Sequence, residues 1–214
     1  KIPISKPNID VEEKNAVQEV LNSGFLAQGK KVAKFEEEFG NYIGVSQAIA
    51  TSNGTSALFI ALKALGISPN DKVVTTPFTF VASASSIMQC GGIPIFCDID
   101  SRTFNIDPNA LENILKKEGH SIKAILIVHL YGLPCPIDEI MALANLYNIP
   151  IIEDCAQAHG AEYRGKKVGS FGRASAFSFY PTKNMTTGEG GMILTNDEEF
   201  AKKCRMLINH GSDK

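Results

Sequence analysis

The sequence of 214 residues has no excess of charge of either sign and no long apolar run. It carries 21 Lys and Arg against 23 Asp and Glu, which gives a formal net charge of −2. Such a balance provides no electrostatic footprint for a nucleic acid or an anionic membrane surface. No apolar run approaches the roughly 20 residues that a membrane-spanning helix requires. A hydrophobic content of 44% instead indicates a globular chain with one sizeable core.

The sequence also lacks the cysteine and histidine patterns of a disulfide framework or a zinc site. Its five cysteines are odd in number, and no two form a Cys-x-x-Cys pair. Most lie within apolar stretches, so we expect buried free thiols in a reducing compartment, the cytoplasm. The four histidines show no metal-ligand spacing, and we expect no bound metal.

What the sequence does contain is a regular alternation of amphipathic helices with short apolar strands. Asp10-Val11-Glu12-Glu13 has the form of a capping box and predicts a helix to about residue 22. Further helices are predicted at 31–43, 54–65, 79–90, 108–118, 136–147 and 197–209. Strands are predicted at 47–51, 72–76, 93–98, 123–129, 149–154, 174–179 and 190–195, with a hairpin at 161–169 that turns at Gly165. This order predicts an α/β protein with a mostly parallel central sheet and helices on both faces.

Ligands of such folds bind at the carboxyl ends of the strands, so the residues that follow each strand are the first candidates for a site. After the strand at 47–51 comes the segment Ser52-Asn53-Gly54-Thr55-Ser56, which opens the next helix. The free N–H groups of a helix N-terminus, together with these hydroxyls, suit a phosphate group. An ordinary helix cap explains the same residues, and the segment alone does not decide between the two interpretations.

Two charged residues stand where an apolar strand ends. Asp154 closes the strand at 149–154, and a carboxylate buried there requires a cationic or hydrogen-bonding partner. Lys183 follows the strand at 174–179 and precedes a run of glycines. A lysine amine that is partly removed from water can form a Schiff base with an aldehyde. Taken singly, Asp154 is more typical of a partnered structural residue and Lys183 of a surface lysine.

Taken together, these three sites fit one ligand, pyridoxal 5′-phosphate. Its phosphate group would bind to Thr55, Ser56 and Ser178. Asp154 would pair with the protonated pyridine nitrogen and keep the ring an electron sink, while Lys183 would hold the aldehyde carbon as an internal aldimine. We therefore predict a cofactor site in which Lys183 is the catalytic residue.

Several stretches then resemble a known family, in order along nearly the whole chain. They are IPISKPNI at the N-terminus, SNGTSAL at 52–58, TTPFTFVASASSI at 75–87, EDCAQAHGA at 153–161, SFGRASAFSFYPTKNMTTGEGGMI at 170–193 and NHG at 209–211. The family is that of the PLP-dependent sugar aminotransferases of the DegT/StrS type, which have the aspartate aminotransferase fold (fold type I). The resemblance thus implies the large domain of that fold, with its mostly parallel sheet.

The resemblance assigns roles to residues that the chemistry alone leaves open. It implies that Gly54 lies at the cofactor phosphate beside Thr55 and Ser56. It also implies that Phe80 stacks on the pyridine ring and that Gln157 lies near the cofactor's 3-hydroxyl group. For Asp154, Ser178 and Lys183, it implies the roles already inferred from the residues. Some dehydratases of the family carry a histidine in place of the lysine, so the lysine here favours transamination.

The reaction implied by the resemblance is transamination in two half-reactions. An amino donor, glutamate by resemblance, gives its amino group to the cofactor while Lys183 moves the proton as general base and acid. The amino group then passes to a ketosugar linked to a nucleotide, in the biosynthesis of a polysaccharide or of a secondary metabolite. The resemblance further implies a homodimer in which the neighbouring subunit contributes to each active site.

The resemblance also sets the expected domain organisation. It implies that residues 1–214 form the large cofactor-binding domain, with an N-terminal helical segment at 1–45. Members of the family carry a small C-terminal domain after this region, and we expect that domain to be absent from this chain.

Two alternatives stay open at the level of the sequence. An inosose (cyclitol) aminotransferase shares the same motifs, because the loops that face the substrate vary within the branch. A regulatory protein that binds the cofactor without turnover would keep the fold, although it would have no chemical reason to keep Asp154, Gln157 and Lys183 together. A dinucleotide-binding protein is not favoured, since no Gly-x-Gly-x-x-Gly follows the first strand.

Overall fold

A seven-stranded sheet forms the centre of the molecule. The structure is a computed structural model that describes residues 2–3 and 5–212. The helices are α1 (Val11–Ser23), α2 (Lys30–Ile43), α3 (Gly54–Leu65), α4 (Ala82–Gln89), α5 (Pro108–Glu118), α6 (Ile137–Leu146) and α7 (Glu198–Ile208). The strands are β1 (Gln47–Thr51), β2 (Lys72–Thr75), β3 (Ile93–Phe96), β4 (Ile122–Val128), β5 (Ile151–Asp154), β6 (Glu162–Tyr163), β7 (Lys166–Lys167), β8 (Ala174–Ser178) and β9 (Gly191–Thr195).

The sheet is mostly parallel, as the sequence predicts. Its strand order is β1-β9-β8-β5-β4-β2-β3. The pairs among β3, β2, β4, β5 and β8 are parallel, whereas β9 runs antiparallel to both β8 and β1. The strands that surround β5 therefore end at one edge of the sheet, which is where a ligand site is expected in this class of fold.

The predicted elements are confirmed, with differences at their ends. The hairpin forms from β6 and β7 and turns at Arg164 and Gly165. The helix predicted at 79–90 begins only at Ala82, and Thr79 and Phe80 lie in the irregular segment before it. The strand predicted at 149–154 begins at Ile151, because Pro150 has no N–H group to give to the ladder.

Helices cover both faces of the sheet, and the side chains of β4 show how the core divides. Ala124, Leu126 and Val128 point to the face that packs against α3, α4 and α7. Ile125 and Ile127 point to the opposite face and pack against α5 and α6. A third cluster joins α2 to the antiparallel part of the sheet through aromatic rings such as Phe39, Phe177 and Phe179. Alternation along each buried strand therefore builds a core on each side.

The outer edge of β1 is covered by side chains rather than by another strand. The backbone N–H of Ala50 donates to Oε1 of Glu36 at 2.7 Å, and the carbonyl of Ala48 accepts from Nη2 of Arg205 at 2.8 Å. Nη1 of Arg205 lies 3.2 Å from Oε2 of Glu36, so the two side chains also form an ion pair. Polar groups on the open edge of a sheet are thereby satisfied within the chain.

Helix α1 lies outside the core. Its capping box forms as the sequence predicts, with the backbone N–H of Asp10 donating to Glu13 at 2.7 Å. None of its residues is buried, and Val17 and Leu21 are more than half exposed. Within the described part of the chain, none of the helices is long and apolar enough to cross a membrane.

Candidate functional site

A cavity of about 770 Å³ opens where β1, β5 and β8 end. Each of these strands delivers a segment that the sequence analysis singles out, although the segments lie far apart along the chain. All eight residues that the sequence predicts for the site line this one cavity: Gly54, Thr55, Ser56, Phe80, Asp154, Gln157, Ser178 and Lys183. The predicted residues are therefore brought together, and the roles expected of them can be compared with their surroundings.

Helix α3 begins at the cavity with two backbone donors left over. The side-chain oxygen of Asn53 accepts the N–H of Ser56 at 2.8 Å, and its carbonyl accepts the N–H of Ala57 at 3.0 Å. The N–H groups of Gly54 and Thr55 come before the first intrahelical bond and have no helix carbonyl to reach. The ordinary cap that the sequence left open is thus present. Two N–H groups and the positive end of the helix dipole still face the cavity and suit an anion.

Two glycines allow the start of α3 to lie directly against the sheet. A Cβ atom added at Gly54 would stand 2.7 Å from Cβ of Ser178 and 3.2 Å from its hydroxyl oxygen. A Cβ atom added at Gly191, the first residue of β9, would overlap the carbonyl of Asn53. The absence of side chains at both positions therefore brings the hydroxyl of Ser178 beside the free N–H groups of the helix.

Asp154 ends β5 with a carboxylate that is 5% exposed. The hydroxyl of Ser83 donates to Oδ2 at 2.8 Å, and the backbone N–H of Ala156 donates to Oδ1 at 3.1 Å. Burial raises the pKa of this carboxyl, and the two hydrogen bonds and the nearby charge of Lys183 offset that effect only in part. Among the described residues, no cationic side chain forms an ion pair with it, so a cation in the cavity would stabilise it.

Lys183 lies in the loop between β8 and β9. Its backbone N–H donates to the carbonyl of Tyr180 at 2.9 Å, which holds the loop in a turn, and its half-buried side chain lines the cavity. Its ammonium group forms neither a hydrogen bond nor an ion pair with any residue that the structure describes. An amine with these surroundings is free to react with a ligand in the cavity.

Gln157 presents its amide N–H₂ group to the cavity. Its side-chain oxygen accepts the backbone N–H of Tyr131 at 2.8 Å, and this contact fixes which end of the amide faces inward. Tyr131 has a φ of 53° and is followed by Gly132 with a φ of 83°, so a sharp turn delivers the donor. The inward N–H₂ group is suited to a ligand oxygen.

Phe80 and Thr79 form a wall of the cavity just before α4 begins. The ring of Phe80 is 66% exposed, which leaves its face available to a planar ligand. Thr79 also lines the cavity, and its hydroxyl lies 2.8 Å from that of Ser83. Neither Thr79 nor Ser83 was predicted from the sequence. One signal could have identified Ser83. This residue places a hydroxyl on the inward face of a predicted helix, shortly after the candidate aromatic residue Phe80.

Behind the cavity lies a buried group that the sequence analysis also missed. Glu153 is fully buried and accepts four hydrogen bonds, from Nε2 of His129 and from the backbone N–H groups of Gly169, Phe171 and Gly172. Burial raises the pKa of Glu153, but these hydrogen bonds outweigh it and leave the pKa below its usual value. The available signal was the Glu-Asp pair at the end of an apolar strand, because alternation must bury at least one carboxylate.

His129, Glu153 and Cys155 lie close enough together to suggest metal ligands. The lone pairs that a metal would need are, however, already used. The backbone N–H of Cys135 donates to Nδ1 of His129 at 3.1 Å, so the ring is neutral, with its proton on Nε2 facing Glu153. Burial raises the pKa of the Cys155 thiol to about 12, which leaves it protonated. We interpret the cluster as a hydrogen-bond network that holds the ends of β4 and β5 together.

The fold and the cavity define an α/β protein with a polar site at the carboxyl edge of its sheet. Residues 7–214 match the DegT/DnrJ/EryC1/StrS aminotransferase family, and the chain belongs to that family. The family resemblance inferred from the sequence motifs is thus confirmed, and so is the fold class, since related aminotransferases share this sheet.

Two curated relatives and one solved structure illustrate the similarity. Spore coat polysaccharide biosynthesis protein SpsC of Bacillus subtilis is 46% identical over 213 residues, which are 100% of this chain and 54% of the relative. GDP-perosamine synthase of Caulobacter vibrioides is 44% identical over 214 residues, 100% of this chain and 57% of the relative. The structure of an aminotransferase from Psychrobacter cryohalolentis superimposes with a TM-score of 0.93 at 46% identity, covering 98% of this chain and 53% of that one. The chain therefore spans about half the length of these relatives.

Proposed function

We propose that the chain is the cofactor-binding part of a pyridoxal phosphate-dependent aminotransferase whose acceptor is a ketosugar linked to a nucleotide. One observation carries the proposal: a helix N-terminus, a buried carboxylate and a lysine all face one cavity, and none of the three has an ion-pair partner among the described residues. Family membership supports it, and one relative is by name a synthase of GDP-perosamine. On this proposal, residues 1–214 form a cofactor-binding domain.

The residues present fit pyridoxal phosphate on both charge and shape. The space beside Gly54, which a Cβ atom would fill, and the donors of Thr55, Ser56 and Ser178 suit the phosphate group. Asp154 is an anion without a cationic side-chain partner among the described residues, and it suits a protonated pyridine nitrogen. When bound, the cofactor supplies an aldehyde and an electron-withdrawing ring.

The chain's own residues then have distinct tasks. Asp154 holds the proton on the ring nitrogen, and the N–H₂ group of Gln157 donates to the 3-hydroxyl oxygen. Phe80 covers one face of the ring and limits access of water to it. The amine of Lys183, which has no competing partner among the described residues, would take the proton from Cα of the amino donor and deliver it to the cofactor carbon that carried the aldehyde.

The test combines cofactor binding with chemical identification of the lysine. After incubation with pyridoxal phosphate, reduction with borohydride should fix the cofactor to the peptide that carries Lys183, as seen by mass spectrometry. Lys183→Ala should abolish this label, whereas Lys117→Ala, an exposed lysine on α5, should leave it unchanged. Labelling of another lysine, or none at all, would contradict the proposed role of Lys183.

Donor and acceptor are tested on the same preparation. Glutamate added before the reduction should prevent the labelling, and a panel of nucleotide-linked ketosugars added after the glutamate should restore the labelling, with formation of the amino sugar. Restoration by an inosose alone would instead assign a cyclitol aminotransferase. A cofactor that glutamate leaves unchanged would favour a regulatory protein without turnover.

We further propose that the chain acts as a homodimer in the cytoplasm. Phe80 lines the cavity, Val81 follows it in the chain, and the backbone of Tyr131 binds Gln157. All three are at least 66% exposed, and exposed apolar side chains of this kind are typical of an interface. The five buried free thiols suit a reducing compartment. Light scattering coupled to gel filtration should give twice the mass of one chain. The mass of a single chain would contradict the dimer.

A further inference from the structure

Ser83 stands behind the buried carboxylate of the cavity and points its hydroxyl at it. The side chain is fully buried in the first turn of α4, and Oγ lies 2.8 Å from Oδ2 of Asp154. Oδ1 of Asp154 takes the backbone N–H of Ala156 instead, so each carboxylate oxygen has one donor from the chain. An ionised carboxylate can only accept, which means that the hydrogen of the Ser83 hydroxyl lies toward Asp154.

Thr79 extends this contact to the cavity. Its hydroxyl oxygen lies 2.8 Å from Oγ of Ser83, and the residue itself lines the cavity. Because the hydrogen of Ser83 is used by Asp154, Thr79 must donate the hydrogen in this second contact. The result is a directed chain of hydroxyls from Thr79 to Ser83 to Asp154. The backbone N–H of Ser83 also donates to the carbonyl of Phe80 at 3.2 Å, so the same turn carries the aromatic wall of the cavity.

We propose that Ser83 is a positioning residue that keeps Asp154 ionised and aimed into the cavity, with Thr79 holding the hydroxyl of Ser83 in the donating orientation. The proposal rests on the function proposed above, in which Asp154 pairs with the pyridine nitrogen of the cofactor. A carboxylate that already accepts from Ser83 attracts the shared proton less strongly, so the proton stays on the ring nitrogen. Ser83 thereby favours the charged ring that withdraws electrons.

The other groups that face Asp154 do not replace this donor. Lys183 lines the same cavity and is committed to the cofactor in the proposed function. His129 is held neutral by the backbone N–H of Cys135, and its proton points to Glu153. Cys155, the next residue along the chain, keeps its proton because burial raises its pKa to about 12. Ser83 and the backbone of Ala156 are therefore the groups that stabilise the carboxylate from behind.

The chain offers a matched control one turn further along α4. Ser86 is also fully buried, but its hydroxyl reaches only the carbonyl of Ser83, at 3.4 Å. Removing either hydroxyl takes one oxygen atom from the same buried helix face. A purely structural role would therefore give Ser83→Ala and Ser86→Ala similar effects.

The experiment follows the ring nitrogen directly and does not depend on turnover. Wild type and the variants Ser83→Ala, Ser83→Thr, Thr79→Val, Ser86→Ala and Asp154→Asn are loaded with pyridoxal phosphate labelled with ¹⁵N in the ring. The ¹⁵N chemical shift is recorded against pH, and the dissociation constant of the cofactor is measured by equilibrium titration. We expect Ser83→Ala to move the shift toward that of unprotonated pyridine and to weaken cofactor binding about tenfold, the effect of losing one hydrogen bond to a charged group.

The remaining variants decide between the possible outcomes. Ser83→Thr and Ser86→Ala should both keep the ¹⁵N shift and the dissociation constant of the cofactor at their wild-type values. Thr79→Val should change both quantities in the same direction as Ser83→Ala but by a smaller amount. A wild type that binds no cofactor would overturn the proposed function and this inference with it. A wild type that binds normally while Ser83→Ala behaves like Ser86→Ala would overturn the inference alone. If Ser83→Ala does not fold, an unchanged shift in Thr79→Val would overturn it.

Discussion

Glu153 and Asp154 are neighbours in β5 whose carboxylates face opposite sides of the sheet, because successive side chains of a strand alternate. Glu153 accepts four hydrogen bonds, and its surroundings satisfy it completely. Asp154 accepts two and is left with a raised pKa. At the scale of the residue, the first carboxylate therefore stabilises the fold, while the second opposes folding and is available to a ligand.

Replacing Asp154 by Asn should stabilise the protein in the absence of cofactor. Folding raises the pKa of Asp154 above its unfolded value of about 3.9. Between these two pKa values the folded state binds more protons than the unfolded state, so the free energy of unfolding falls as the pH rises. Asn removes this penalty, and we expect an unfolding free energy higher by about 1 kcal/mol at pH 7, with no difference below about pH 3.5. Urea denaturation of the cofactor-free protein at both pH values measures this, and a loss of stability at pH 7 would contradict it.

Replacing Glu153 by Gln should have the opposite effect. The amide of Gln places an N–H₂ group against backbone N–H groups that need an acceptor. We therefore expect the free energy of unfolding to fall by roughly 2–4 kcal/mol. Because the pKa of Glu153 is lowered in the fold, its contribution is present above the unfolded pKa and is lost as the pH falls through the folded pKa. The difference between wild type and variant should therefore shrink in acid. Glu112→Gln, at an exposed ion pair on α5, should change stability by less than about 0.5 kcal/mol.

Sequence alone could identify Asp154 and Lys183 but not the residues that support them. Both stand at the end of an apolar strand, where an unusual charge is visible in the pattern. Ser83, which donates to Asp154, lies 71 residues earlier in the chain, and nothing local marks the pair. The three backbone donors to Glu153 come 16 to 19 residues later, from a loop whose path depends on the whole fold. Long-range partners of this kind appear only once the chain is folded.

At the scale of the element, helix α3 depends on how closely its first turn approaches β8 and β9. Gly66 ends it, with a φ of 93° that favours glycine. Its first turn can lie against the sheet because Gly54 and Gly191 have no side chains. Bounds that rest on local signals, such as those of α3 and α5, could be predicted to the residue. The start of α4 could not, because Val81 at its N-cap makes no side-chain capping bond.

Gly54→Ala should weaken both the fold and the binding of phosphate. The added Cβ would lie 2.7 Å from Cβ of Ser178, so α3 must move away from the sheet, at a cost of about 1–3 kcal/mol. We expect a lower urea midpoint without cofactor and weaker binding of pyridoxal phosphate. The double variant Gly54→Ala/Ser178→Gly removes the clash and should be less destabilised than the sum of its parts. Additive losses would show that the contact does not limit the approach of the helix.

At the scale of the whole molecule, the cysteines report on the integrity of the core. All five are buried and free, as the sequence predicts, and they are distributed over its three clusters. Burial raises the pKa of Cys97, Cys155 and Cys204 to about 12 and also raises that of Cys90. The reactive thiolate is therefore scarce in the folded protein for two reasons, exclusion of reagent and retention of the proton.

The rate at which the thiols react with a reagent should consequently distinguish folded from unfolded molecules. We expect no rapid reaction of native protein with a disulfide reagent at pH 8 and the release of five equivalents after denaturation in urea. A Lys117→Cys variant, at an exposed position on α5, should add one equivalent that reacts at once. Rapid reaction of one native thiol in the wild type would indicate local opening of the cluster that contains it.

The ion pair of Glu36 with Arg205 has a consequence for how copies of the chain can meet. Both side chains occupy the hydrogen-bonding positions that an incoming strand would need along β1. An extended peptide, or the same edge of a second copy, would have to displace a charged pair before it could add to the sheet. Growth of the sheet across copies is thereby disfavoured at this end. Association of two molecules through this end of the sheet must then use side-chain surfaces instead of backbone hydrogen bonds.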